Sequence, residues 1–184
     1  EKLTATVFGD EWKRSPQLEK YYDDQFNDWL GPLTLDAFQG QRVLDAGCGK
    51  GRHTRIIAEE GAKIIVGVDL SEAVDVAFKN TMMLPNAHIV QANLCKIPFG
   101  KCTFDLATCI GVLHHLPEPV KGVKAIANHL RTGGRLAIWV YGCENNAWVQ
   151  RIRRWTVNLR PPRIPPSLLW GLSVVPAVIL YIGL

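Results

Sequence analysis

Gly47, Gly49 and Gly51 stand at alternate positions in the stretch VLDAGCGKGRHT, residues 43–54. A backbone that bare lets a ligand approach the main chain closely, and a helix starting just after it offers unpaired N–H groups to an anion. Asp69 ends the second strand, read in the apolar run KIIVGVDL, 22 positions after Gly47, where a carboxylate can accept both hydroxyls of a ribose. Loop and acid together point to a nucleoside-bearing cofactor. A dinucleotide cradle of the form G-x-G-x-x-G requires glycine at position 52, where this chain has Arg52. A pyrophosphate therefore fits poorly, although spacing alone leaves nicotinamide-dependent oxidoreduction open.

Those residues need rigid elements behind them. RVLDA, KIIVGVDL, AHIVQAN, FDLATCI and RLAIWVY read as five strands, most of them apolar on both faces. Between them, Ile56 and Ile57 mark a helix that stops at Gly61, and a second helical stretch runs to about Asn80. Val120, Val123, Ala127 and Leu130 share one face of a third helix, opened by Pro119 and closed by Gly133 and Gly134. Ahead of the loop, Leu18, Tyr22, Phe26, Trp29 and Leu33 recur at steps of three and four, which predicts one amphipathic helix. Strands apolar on both faces and alternating with helices predict a doubly wound α/β fold, a mostly parallel sheet covered on both sides by right-handed crossovers. Ligands in such sheets bind outside the carboxyl ends of the strands, near the point where strand order reverses.

Composition agrees with one globular domain: 184 residues, 47% hydrophobic and 21% charged. The five cysteines include no C-x-x-C pair, so neither a disulfide framework nor a metal site is expected. Cys48, Cys95, Cys109 and Cys143 fall at or after strand ends, which would bring them to one edge of the sheet; as small apolar side chains they suit such turns. No basic stretch followed by an apolar run stands near the start, so a signal peptide is not expected and a cytoplasmic location is. Residues 1–150 hold 16 Lys and Arg against 17 Asp and Glu, whereas residues 151–184 hold five arginines and no acid. The basicity belongs to the tail. Its last eighteen residues, SLLWGLSVVPAVILYIGL, are uncharged, and they read either as a lid over a pocket or as a membrane-directed segment. Pro176 within the run favours the lid.

VLDAGCGKGRHT, VGVDLS, ANLCKIPF, FDLATCIGVLHHLPEP and LRTGGRLAIWVYG, in that order, resemble the motifs of class I S-adenosylmethionine-dependent methyltransferases, especially the group containing the ubiquinone and menaquinone methyltransferases. The resemblance covers roughly residues 40–142. It implies a Rossmann-like fold and S-adenosyl-L-methionine as cofactor. It also implies roles. Asp45, Gly47, Cys48, Gly49 and Gly51 would face the methionine moiety and ribose, with Asp45 bonding the amino group directly or through water. Asp69 would hold the ribose hydroxyls and Leu70 would pack on adenine. Asn93 stands where the family usually has Asp, and its amide oxygen can still accept from the adenine amino group. The Leu94 backbone would meet a ring nitrogen, and Ile110 with Gly111 would line the wall beside the sulfonium. His114 and His115 are the candidate general bases, in competition with a purely structural turn; His53 reads as shaping the loop. Family sheets end with two further strands, and no run after Tyr141 suits either, so the sheet is expected to lack them or the sequence to be truncated.

These readings divide the chain into an N-terminal helical cap over residues 1–38, a cofactor-binding core over 39–142 and a lid or membrane-associated segment over 143–184. The expected acceptor is a small, lipophilic molecule, with a nucleic acid disfavoured because "IGVL" stands where base methyltransferases carry N/D-P-P-Y. A non-catalytic module that binds the cofactor or a partner is the other alternative.

Overall fold

The computed structural model describes residues 2–18 and 21–142. Five strands, β1 (Arg42–Ala46), β2 (Ile64–Asp69), β3 (Ala87–Gln91), β4 (Phe104–Ile110) and β5 (Leu130–Trp139), form one sheet in the order β3-β2-β1-β4-β5. Every neighbouring pair is parallel. Because side chains alternate along a strand, each strand feeds two cores. Val43, Ile65 and Leu106 pack with Ile56 and Ile57 on one face, and Leu44, Val66 and Ala107 pack with Ile126 on the other. Those isoleucines belong to α3 (Arg52–Glu59) and α5 (Pro119–Ala127), so helices cover both faces, as the apolar strands require. From β1 the chain steps one way to β2 and β3, while β4 and β5 lie on the other side, which opens a crevice at the carboxyl ends of β1 and β4.

Two element boundaries differ from the sequence-based expectation. The helix expected from Leu18 to Leu33 is the shorter α2 (Tyr21–Trp29), preceded by a separate α1 (Lys2–Arg14). Gly31 adopts φ 67 and Pro32 lacks an N–H, so the helical ladder ends while Leu33 still reaches the core. The helix expected to continue to Gly133 stops at Ala127, and Leu130 begins β5 by pairing with Phe104. Leu130 faces the same core as α5, so apolar periodicity could not separate the two elements.

Ion pairs fasten the helices and the far edge of the sheet. Arg55 on α3 grips both Asp23 carboxylate oxygens on α2, at 2.7 and 3.0 Å. At the amino end of β1, Asp105 accepts from the Arg42 backbone and guanidinium and from Arg131, and this company holds its carboxyl well below the usual range. Among the described residues no helix is long and apolar enough to cross a membrane. The arginine-rich and apolar tail and Cys143 lie outside the described residues.

Candidate functional site

The carboxyl end of β1 runs directly into the glycine loop. Gly47 and Cys48 N–H both donate to the Val68 carbonyl, at 2.7 and 3.1 Å, which locks the loop beside β2. Gly47, Gly49 and Gly51 adopt φ of 91, 52 and 80, conformations that side chains rarely tolerate, and Gly51 starts α3. Asp69, at the end of β2, lies across this loop. One of its carboxylate oxygens accepts the Gly49 N–H at 2.9 Å, and the other accepts the Ser71 N–H and hydroxyl at 2.8 and 2.7 Å. Its position along the strand thus brings an oriented carboxylate to the mouth of the crevice.

A cavity opens there, and its walls come from six separate stretches of chain. Gly47, Cys48, Gly49, Asp69, Leu70, Leu94, Ile110, Gly111 and His115 line it, all among the residues that the sequence marks out. The structure does not bring Asp45, Gly51, Asn93 or His114 to that wall. Asp45 is buried under the loop, where the Thr54 and Thr108 hydroxyls donate to it at 2.6 and 3.2 Å. Strand alternation directs its side chain toward α3, away from the ligand side. Gly51 lies against Ala77 of α4 (Val74–Thr81). Asn93 caps the turn after β3, its side-chain oxygen accepting the Cys95 N–H at 2.8 Å. His114 packs between the rings of His115 and Tyr141.

Sequence reasoning missed a wall supplied by α1, whose Ala5 and Trp12 reach the cavity. The helix is tied down from the glycine loop itself. Lys50 donates to the Ser15 and Gln17 carbonyls at 2.9 and 2.8 Å, with its ammonium 5.0 Å from the Trp12 ring, and Lys13 pairs with Glu72. A lysine between two loop glycines was a visible signal; its partners were not. Lys50→Met keeps the apolar stem and removes both bonds, each worth about 1.5–3 kcal/mol for a charged donor. Tryptic cleavage after Arg14 is expected to accelerate at least about tenfold, read by mass spectrometry under native conditions; unaltered cleavage would deny Lys50 its anchoring role.

Buried titratable groups surround the loop. Burial pushes the Asp45 carboxyl up to about 6, against the two threonine hydroxyls that favour its charged form. Burial, with Arg52 adjoining, lowers His53 to about 3, so its imidazole is neutral at physiological pH. Burial also raises the Cys48 and Cys109 thiols, Cys109 to about 12, so neither is an activated nucleophile at neutral pH. Cys95 is exposed, and among the described residues no group of metal-capable side chains occurs.

Asp45 and His53 have opposite pH signatures. Between pH of about 4 and 6 folded Asp45 keeps a proton that the unfolded chain releases, so its contribution to stability falls as pH rises through that window. Folded His53 refuses a proton that the unfolded chain accepts below about 6.5, so its contribution falls as pH drops. Asp45→Asn keeps an acceptor for the threonines and abolishes one titration. Relative to wild type, the variant is expected to gain about 3 kcal/mol between pH 4 and pH 7, measured by urea unfolding at both. A pH-independent difference between the two proteins would contradict the raised carboxyl.

Comparisons with known proteins agree with this geometry. Residues 44–138 match the family described as a methyltransferase domain. A tRNA U34 carboxymethyltransferase of Haemophilus influenzae is 36% identical over 110 residues, covering 56% of this chain and 33% of that protein. A ubiquinone biosynthesis O-methyltransferase of Neisseria meningitidis is 27% identical over 141 residues, covering 67% of this chain and 53% of that one. The chain thus spans about a third of the length of the carboxymethyltransferases it matches. Among solved structures, the cyclase SpnF superposes with a TM-score of 0.58 at 25% identity, over 66% of this chain and 46% of that one. The family match covers more than half of the 184 residues and contains the glycine loop, Asp69 and the crevice between β1 and β4: the chain belongs to the methyltransferase domain family.

Proposed function

We propose that this chain carries out S-adenosylmethionine-dependent methyl transfer to a small molecule. The observation that carries the reading is the Asp69 carboxylate, held across a glycine loop at the carboxyl end of β2 and facing the cavity. The residues present fit the donor. Gly47 and Gly49 leave their backbone bare on the cavity wall, and Gly111, with φ 73, opens onto space that no protein atom fills within 4 Å of an added Cβ. Asp69 would accept the ribose hydroxyls, Leu70 would pack on the purine and the Leu94 backbone would meet its edge. Asn93 contributes by holding that turn, and Asp45 by fixing Thr54 and Thr108 beneath the loop.

When bound, S-adenosylmethionine supplies a methyl group already activated by a sulfonium. The protein's task is to align an acceptor in line with it and to exclude water, which supplies most of the acceleration in reactions of this kind. Ile110, Gly111 and Val112 form the wall suited to that exclusion. His115 stands on the same wall and would take the proton of an acceptor that must lose one; His114 would position it through their ring contact. Residues 1–38 act as a cap and 39–142 as the core.

A second reading has a specific support: the curated relatives with 36% identity are named for tRNA U34. The acceptor in that reading is a tRNA base. Fold alone carries no activity, since a structural neighbour is named a cyclase, so turnover is the deciding measurement. Calorimetric titration with S-adenosylmethionine, S-adenosylhomocysteine and NAD comes first. Saturable binding of the first two and not of NAD supports the donor assignment, and binding of NAD alone favours an oxidoreductase. Tritiated methyl incorporation into bulk tRNA or into phenolic and lipophilic small molecules then separates the acceptors, and binding without any turnover returns the non-catalytic module.

A further inference from the structure

Six ring-bearing side chains form a continuous arc on one side of the cavity. His115, on the cavity wall, meets the His114 ring with centroids 4.1 Å apart, and His114 meets Tyr141 at 4.7 Å. Tyr141 stands edge-on to Trp139 at 4.9 Å, and Trp139 stacks on Trp29 at 4.3 Å. Trp29 closes the arc: it meets the His53 ring edge-on at 6.2 Å, and its centroid lies 5.4 Å from the Arg52 guanidinium carbon. Arg52 in turn contacts His53 Nε2 through Nε and Nη2, at 3.2 and 3.0 Å. His53 and Arg52 line the cavity, so both ends of the arc reach it.

The arc lies apart from the residues assigned to the donor. Asp69 ends β2, whereas Trp139 ends β5, with β1 and β4 between them in the sheet. Trp139 pairs with Ile110 across the β4–β5 ladder, and its carbonyl accepts the Gly111 N–H at 2.9 Å. Ile110 and Gly111 line the cavity, and no protein atom stands within 4 Å of a Cβ added at Gly111, so a flat group can approach the backbone there. A nucleoside held by Asp69 leaves this β5 side to the acceptor.

Core packing does not account for the outer part of the arc, because Tyr141 is 66% exposed and Val140 beside it is exposed as well. Large apolar side chains left open next to a cavity mark a binding surface. Open ring faces and edges favour a second ring, offset or edge-on, over an alkyl chain of the same size. Charge argues against a cationic acceptor. Among the described residues that line the cavity, Lys50 and Arg52 are basic and Asp69 alone is acidic, with its two oxygens turned to Gly49 and Ser71. A cation on the arc would face like charges with no acid beside it.

We infer that the arc is the acceptor platform of this cavity, that it takes a neutral planar ring, and that Tyr141 is its specificity-determining residue. The inference deepens the methyl-transfer reading and rests on it.

The test is calorimetric titration of 2-naphthol and of its saturated, non-planar counterpart decahydro-2-naphthol into the full chain saturated with S-adenosylhomocysteine. The two share a carbon skeleton and a hydroxyl, so apolar burial alone binds them alike. 2-Naphthol is expected to bind about tenfold more tightly or better. Tyr141→Leu should shrink that preference to about threefold or less, and Tyr141→Phe, which keeps the ring, should retain it. The S-adenosylhomocysteine affinity of each variant reports an intact fold. Uridine against dihydrouridine asks the same question of a nucleobase. A preference for the planar member that needs the Tyr141 ring supports the inference from either pair, and the pair that shows it tells the two sources apart. No such preference in either pair, or one that survives Tyr141→Leu, overturns the inference. A wild-type chain that does not bind S-adenosylhomocysteine fails the donor reading instead, and the same pairs titrated without it then decide the platform alone.

Discussion

Gly51→Ala is expected to lose about 2–6 kcal/mol of folding stability. Two costs combine. Gly51 holds φ 80, and placing a side chain in that region costs about 1–3 kcal/mol. The added Cβ would also sit 3.0 Å from the Ala77 Cα and 3.2 Å from its carbonyl oxygen, and overpacking adds about 1–3 kcal/mol. Those neighbours are backbone atoms inside α4, so no rotamer change relieves the contact. Against a typical stability of about 5–15 kcal/mol the loss is large. Gly40→Ala separates the terms, because Gly40 has φ 70 and nothing within 4 Å of an added Cβ. It should lose only the strain, and urea denaturation of both variants gives the difference. Equal losses would mean that α4 yields to the intruding methyl, and the loop would then be less rigidly seated than its contacts imply.

The second large effect is on binding. Asp69→Ala should weaken S-adenosylhomocysteine by about tenfold to a hundredfold, since it removes the ribose acceptor and strands three donors of the protein: the Gly49 N–H, the Ser71 N–H and the Ser71 hydroxyl. Asp69→Asn is expected to be nearly as damaging, because its NH₂ must face either the Gly49 donor or the Ser71 pair. Ser71→Ala removes one alignment bond at a cost of about 0.5–1.5 kcal/mol and should change affinity only a few-fold. Calorimetry on the three folded variants ranks them. If Asp69→Ala binds like wild type, the carboxylate only braces the loop and the ribose role falls.

How legible these features were depended on their range. The five strands and the glycine loop announce themselves locally, through apolar runs and alternate glycines, and the structure places all five in one parallel sheet. The boundary errors arose where one apolar pattern served two elements. Leu130 packs on the core that α5 covers and yet belongs to β5, and Leu33 packs on the same core as Phe26 of α2 although that helix has already ended at Trp29. Periodicity records that a residue is buried; it does not record which element carries it there.

For the site, the sequence by itself determined the cofactor-like pairing of the loop with Asp69, because strand length and loop spacing bring both to the same end of neighbouring strands. Only the tertiary structure decided that Asp45 lies behind the loop with its carboxyl raised to about 6, that α1 supplies Trp12 to the cavity and that Lys50 anchors it there. It alone decided that Arg52 is clamped between His53 and Trp29. Burial, protonation and side-chain clamping are sums over neighbours remote in the chain, and no local pattern of residue types encodes which neighbours those are.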